Sequence, residues 1–256
     1  MRVKAVVAYD GSLYEGFQRQ TRTPNTVTGA IERALKSLGI CSEIVGSGRT
    51  DRGVHSTGQV IHFDIPPYWS DGDLSRLKRH INGKLDAVRF KSVSAVADDF
   101  HARYDAKERV YRYIFRDSPS IFERNYISAI GIPDMGKLNE TLSLFEGVHD
   151  FTLFKKSGSQ TSSDRREIYR AYAVKRGDYG YIYFHADGYL RAQVRMMIYA
   201  TFQKLNGHIS EDELKRQIDG AERYTSGLAP AEGLYLARVL YPVGGGDSRR
   251  PDRKGE

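Results

Sequence analysis

GSGRTDRGVHSTGQVIHFD, residues 46–64, joins a glycine-rich loop to a strand of alternating character. The loop holds one carboxylate, Asp51, between Arg49 and Arg52, with His55 just behind. Two readings of Asp51 follow from its chemistry. In an Asp-x-Gly turn the side chain accepts local backbone N–H groups and Gly53 supplies φ > 0, which makes Asp51 a turn former. Alternatively, the loop presents an ionised carboxylate to a substrate, with a neighbouring guanidinium favouring the charged form.

The rest of the first half arranges itself around this loop. Val3 to Tyr9 (VKAVVAY) is an apolar run closed by Asp10-Gly11, the pattern of a buried strand. A polar loop follows to residue 25. Val27, Ala30, Ile31, Ala34, Leu35 and Leu38 then recur at helical spacing, and Gly39 stops the helix. A brief strand at 43–46 precedes the Asp51 loop, and residues 59–65 (QVIHFDI) alternate after it. Leu74, Leu77, Ile81 and Leu85 mark one face of a helix over about 73–85, and a strand follows at 88–96.

That order is β-α-β-β-α-β, and the second half repeats it. Strands are predicted at 109–115, 167–175, 181–186 and 234–239, with helices at 135–145, 189–205 and 211–221. Two such units are ferredoxin-like, split βαβ halves. The expected fold class is therefore α+β, with halves over 1–104 and 105–242 whose sheets join edge to edge and leave a cleft between them. Residues 243–256 (VGGGDSRRPDRKGE) lack a hydrophobic pattern and read as a mobile tail.

Composition narrows the partners. Lys and Arg number 39 against 32 Asp and Glu, a formal charge of +7 that favours a polyanion. The 17 Tyr and 11 Phe, interleaved with basic residues, suit unpaired bases stacking on rings. A single cysteine, Cys41, excludes an internal disulfide and a Cys-based zinc site, and the seven histidines show no metal-binding spacing. No metal is expected. No apolar run reaches the length of a membrane span, and Met1 leads straight into a strand pattern, so a cytoplasmic location is expected.

Five segments, in order along the chain, carry a resemblance. GRTDRGVHSTGQV (48–60), YDGSLYEGFQRQ (9–20), DDFHARYDAKERVYRY (98–113), FEGVHDFTLF (145–154) and AEGLYLARVLYP (231–242) resemble motifs of the TruA family of tRNA pseudouridine synthases. The resemblance covers nearly the whole chain. It implies a pseudouridine synthase fold with a central cleft, action on tRNA in the anticodon stem-loop at about positions 38 to 40, base flipping and a homodimer. It also implies roles residue by residue: Asp51 as the catalytic aspartate, Arg49 ordering the flipped nucleotide, Tyr111 stacking on the target base, and Arg195 pairing with the aspartate. Arg19, Gln20, Arg52 and His55, in or beside these motifs, and Arg191, four residues before Arg195 in YLRAQVRMMI (189–198), are assigned to substrate binding. Four positions depart from the family's usual residues: Arg52 and Tyr199 where it has small residues, Gln193 where it often has Met, and Phe17 where Trp is frequent.

The implied chemistry breaks the N1–C1′ bond of uridine, turns the base and joins C5 to C1′. The same atoms leave and return, so no cofactor is expected. A carboxylate either attacks C1′ or removes the C2′ proton, and the sequence leaves both routes open. Either needs Asp51 ionised, a task open to Arg49 or Arg195, while Gly48 and Gly53 are expected to let the backbone turn tightly. Taken from local pattern alone, Arg191 and Arg195 read as solvent-facing helix residues and Tyr111 as core. Two other functions stand beside the enzyme: a non-catalytic RNA-binding protein, and a glycosidase-like hydrolase, which would need a second carboxyl group.

Overall fold

A computed structural model of the chain describes residues 1–70, 74–156, 158 and 163–242. The predicted tail at 243–256 lies outside the described residues.

The first half runs β1 (Arg2–Tyr9), α1 (Val27–Lys36), β2 (Val45–Gly46), β3 (His55–Asp64), α2 (Pro67–Ser70), α3 (Leu74–Asn82) and β4 (Val88–Ala95). The second half runs β5 (Glu108–Arg116), β6 (Ser128–Ala129), α4 (Met135–Ser143), β7 (Gly147–Asp150), β8 (Arg165–Arg176), β9 (Tyr179–Ala186), α5 (Gln193–Leu205), α6 (Glu211–Ile218) and β10 (Leu234–Leu240). Ten strands form one sheet in the order β4-β1-β3-β10-β5-β9-β8-β7, with β2 also on β3 and β6 on β5. Counted within each half, β4-β1-β3-β2 and β10-β5-β9-β8 place their four principal strands in the same spatial order, fourth, first, third, second. The repeat expected from element order is thus a repeat of topology.

Local chemistry explains the elements. Val3, Ala5 and Val7 alternate onto one face of β1 and bury against Ile31 and Leu35 of α1, whose first turn is capped by Thr26 Oγ1 accepting from Gly29 N at 3.1 Å. In the second half Phe115, Ile182 and Phe184 line the same sheet face and pack with Leu138, Leu142, Met197 and Ile198. Ser210 and Glu213 close a reciprocal capping box at the start of α6.

The two halves meet along β3 and β10. Their parallel pairing is short, His55 with Tyr235 and Ser56 with Leu236, and Ser56 Oγ donates to Leu236 O at 2.9 Å. Farther along β3, pairing passes to β2 at Ile61 and His62. One edge of β3 therefore serves two strands, and the loop carrying Asp51 connects β2 to β3 beside this seam. The sequence placed the start of this strand near Gln59; it begins at His55 because β10 supplies a partner 180 residues away in sequence.

The helix expected over 189–205 begins only at Gln193. Ala192 takes a left-handed conformation, φ 63°, the only non-glycine residue with positive φ among the described residues. Buried Gln193 holds the kink, its Oε1 accepting from Leu190 N at 2.8 Å. Arg191 therefore lies ahead of the helix that carries Arg195 and not on a shared helical face with it.

Candidate active site

The loop at 47–54 is pinned from several sides. Buried Gln59 accepts from Ser47 Oγ at 2.6 Å and donates to Gly48 O at 2.8 Å. Thr50 Oγ1 bonds Tyr9 OH at 2.9 Å, and Thr50 O accepts from Phe17 N at 3.1 Å. Gly53 turns with φ 78°, as expected, so a side chain there is strained. Gly48 does not need positive φ, and the space above its Cα is open. The expectation that both glycines shape the turn holds for Gly53 only.

The side chain of Asp51 makes no hydrogen bond to its own turn; the turn closes through its backbone, Val54 N to Asp51 O at 3.2 Å. Elsewhere in this chain, turn-forming aspartates do bond locally. Asp10 Oδ1, for example, accepts from Ser12 N at 3.0 Å. The Asp51 carboxylate, 31% exposed, instead faces Arg195, with Oδ2 3.8 Å from Nη1. Arg195 is 16% exposed and is aimed by Ala229, whose carbonyl accepts from Nε at 2.7 Å. Of the two arginines that could partner Asp51, the structure brings Arg195.

Arg49 is exposed and holds no ion pair among the described residues. Desolvation, then the like charges of Arg103 and Arg191, disfavours its protonated form. Tyr111, central in β5, is buried, with its ring edge-on to Tyr189 at 5.0 Å. Burial first, then nearby Tyr9 and the Asp51 carboxylate, pushes its phenol well above the ordinary range, so it keeps its proton.

The assigned binding residues divide. Arg19 pairs with Glu32 at 3.5 Å, Arg52 with Glu15 at 3.4 Å, and Gln20 Nε2 donates to Glu15 O at 2.8 Å. All involve residues of the 11–25 loop. Arg191 has its carbonyl bonded to Lys156 N at 3.1 Å. His55 needs correction. It is 1% exposed, its Nδ1 accepts from Gly11 N at 3.0 Å, Nε2 lies 2.9 Å from Asn125 O, and its ring stacks on Tyr235 at 4.7 Å. Both nitrogens are spent on the backbone and the ring is buried, so the structure places His55 in the seam, where it fastens the two halves.

Of the four departures, Arg52 and Tyr199 bear on packing and substrate fit; Arg52 is exposed in its pair with Glu15, and Tyr199 leaves the question of packing. Gly227 answers it: a Cβ there would stand 2.3 Å from the Tyr199 ring, so the glycine makes room for the tyrosine. Phe17 is buried, against Gly46.

Arg109 escaped the sequence reading. Its guanidinium donates to Ala106 O (3.0 Å), Asp187 O (2.5 Å), Ser47 O (3.2 Å) and Arg103 O (2.5 Å). One side chain thus ties the Asp51 loop to the 103–106 turn and to the segment leading into α5. No sequence signal separates such an arginine from the other basic residues of β5.

Comparison with known proteins agrees with this architecture. The family described as tRNA pseudouridine synthase matches residues 5–105 and 142–242, one match per half. A relative named tRNA pseudouridine synthase A from Wolinella succinogenes is 38% identical over 239 residues, covering 93% of both chains. One of the same name from Campylobacter jejuni is 38% identical over 245 residues, covering 94% of this chain and 100% of its own. Another, from Helicobacter pylori, is 36% identical over 245 residues, covering 93% and 98%.

Proposed function

Because this chain belongs to the tRNA pseudouridine synthase family and isomerises uridine to pseudouridine in tRNA, we propose that Asp51 is the group that acts on the sugar and that Arg195 is its charge partner. The observation carrying this reading is the orientation of the Asp51 carboxylate: it makes no bond to its own turn and faces a guanidinium held by Ala229. A carboxylate so placed can add to C1′ or take the C2′ proton, and the arginine sets a positive charge beside it. The glycosidic bond to N1 breaks as the carboxylate bonds C1′ or takes the C2′ proton, the base turns, C5 bonds to C1′ as the carboxylate leaves or the proton returns to C2′, the C5 proton departs and N1 takes up a proton. Tyr111 lies under the reacting base. Its phenol holds its proton, so it can donate a hydrogen bond or relay a proton but does not act as a standing phenolate base.

A uridine inside a stem cannot reach this carboxylate, so the nucleotide is flipped out at a cost of a few kcal/mol, offset in part by stacking on Tyr111. Arg49, exposed on the same loop, orders the flipped nucleotide. The target lies in the anticodon stem-loop at about positions 38 to 40 and the enzyme works as a homodimer, as the resemblance implies; the halves divide at 104–105, as the element order implies, and the location is cytoplasmic. No helix among the described residues is long and apolar enough to cross a membrane.

The test is pseudouridine mapping in tRNA from cells lacking this protein, complemented with the wild-type chain or with Asp51→Asn. Loss of pseudouridine at 38 to 40, restored by wild type alone, supports the reading. Restoration by Asp51→Asn would reject Asp51 as the acting group, and loss confined to other positions would reject the assigned site.

A further inference from the structure

Tyr104 is 75% exposed, yet its ring is held in place. It stacks on His101, with centroids 4.2 Å apart and planes 28° from parallel. His101 is itself fixed: Nδ1 accepts from Arg103 N and Tyr104 N, both at 3.2 Å, and its backbone N–H donates to Asp105 Oδ2 at 2.8 Å. Asp105 N returns a bond to His101 O at 3.0 Å. A turn this heavily bonded orders an aromatic ring without burying it, so stability does not account for the ring. The turn also has a defined relation to the site, because one nitrogen of Arg109 holds both Arg103 O and Ser47 O of the Asp51 loop. The Arg103 guanidinium lies 5.8 Å from the Tyr104 centroid, at the outer limit of cation–π contact.

We propose that the open face of Tyr104 is a stacking platform for an unpaired base of the tRNA adjoining the flipped uridine, with Arg103 beside it for the phosphate of that nucleotide. A base lifted from its neighbours when the target flips exposes a π-face, and a preset aromatic ring accepts any base without reading its identity. A nearby guanidinium neutralises the backbone at the same step. The proposal rests on the Asp51 cleft being where the uridine is presented, and it adds a second contact to that site.

The experiment measures binding of an anticodon stem-loop RNA in an Asp51→Asn background, where no turnover intervenes, for Tyr104 and for Phe, Trp, Leu and Ala at this position. Stacking predicts that Tyr104→Ala and Tyr104→Leu weaken Kd by about 5- to 100-fold, while Tyr104→Phe and Tyr104→Trp stay within about 3-fold. A fully paired RNA duplex of the same length should bind every variant alike. If Leu performs like Phe, or if the duplex suffers the same loss as the stem-loop, the ring is not stacking on a base and the proposal fails. Equal affinity for all variants also overturns it. Because catalysis plays no part in this readout, its failure is distinct from failure of the Asp51 assignment, which the activity of Asp51→Asn decides.

Discussion

Arg195 approaches Asp51 with one nitrogen and anchors itself with another: Nη1 stands 3.8 Å from Asp51 Oδ2 while Nε donates to Ala229 O at 2.7 Å. The carbonyl fixes the direction of the guanidinium, and the carboxylate gains a charge partner without being bound up by it. Arg195→Met removes both functions, and turnover is expected to fall on the order of 10²-fold. Arg195→Lys keeps the charge but loses the planar group that serves two acceptors, so it should retain more activity than Met and less than wild type. Wild-type rates in both variants would show that the pair is idle.

Arg109 should behave as a positioning residue. Replacing it with Met leaves four carbonyls without their donor, and the expected loss of stability is about 2–4 kcal/mol by denaturant unfolding. Arg109→Lys cannot span the same acceptors, and displacement of the Asp51 loop should lower kcat about 10- to 100-fold while tRNA affinity stays near wild type. A fall in affinity with kcat preserved would place Arg109 in RNA binding instead.

Two buried histidines set a pH dependence of stability. Burial is the main cause of the lowered pKa of both His55 and His62, and His62 is pushed down to about 4, with Arg2 adding to the effect. Unfolded histidine binds a proton below a pKa of about 6.5, while these folded ones resist it. Stability is therefore fully present above about pH 6.5 and declines as pH falls from there toward 4. Urea midpoints measured from pH 7.5 to 4.5 should show this fall, and His62→Gln should flatten its slope. An unchanged slope would mean that other groups carry the acid sensitivity.

Gly227 and Tyr199 should be coupled. Gly227→Ala drives a methyl into the tyrosine ring and is expected to cost about 1–3 kcal/mol. Tyr199→Ala should relieve most of that clash, so the double variant should lose much less than the sum of the two single losses. Simple additivity would contradict the packing described here.

Much of this was legible in the sequence because period and capping are local. The spacing of Ile31 and Leu35, or of Leu77 and Ile81, states a helix face wherever it occurs, and repeated element order stated two similar halves. What could not be read was long-range. The β3–β10 seam pairs residues 180 positions apart, and neither strand announces its partner. His55 looked available to RNA because sequence cannot show that Gly11 and Asn125 occupy both of its nitrogens. Arg109 looked like any strand arginine, since its four acceptors come from three separate segments. Arg49 and Arg195 remained alternatives for the partner of Asp51 until the fold placed one against the carboxylate and left the other exposed.

The central claim, that Asp51 performs the isomerisation, is tested most directly by tritium release from tRNA labelled at uridine C5, comparing wild type with Asp51→Asn alongside a tRNA-binding titration. The amide keeps the shape of the side chain but can neither add to C1′ nor take a proton from C2′. The account predicts tRNA binding close to wild type with no tritium released above background. Appreciable release by Asp51→Asn, with the same product formed, would contradict it.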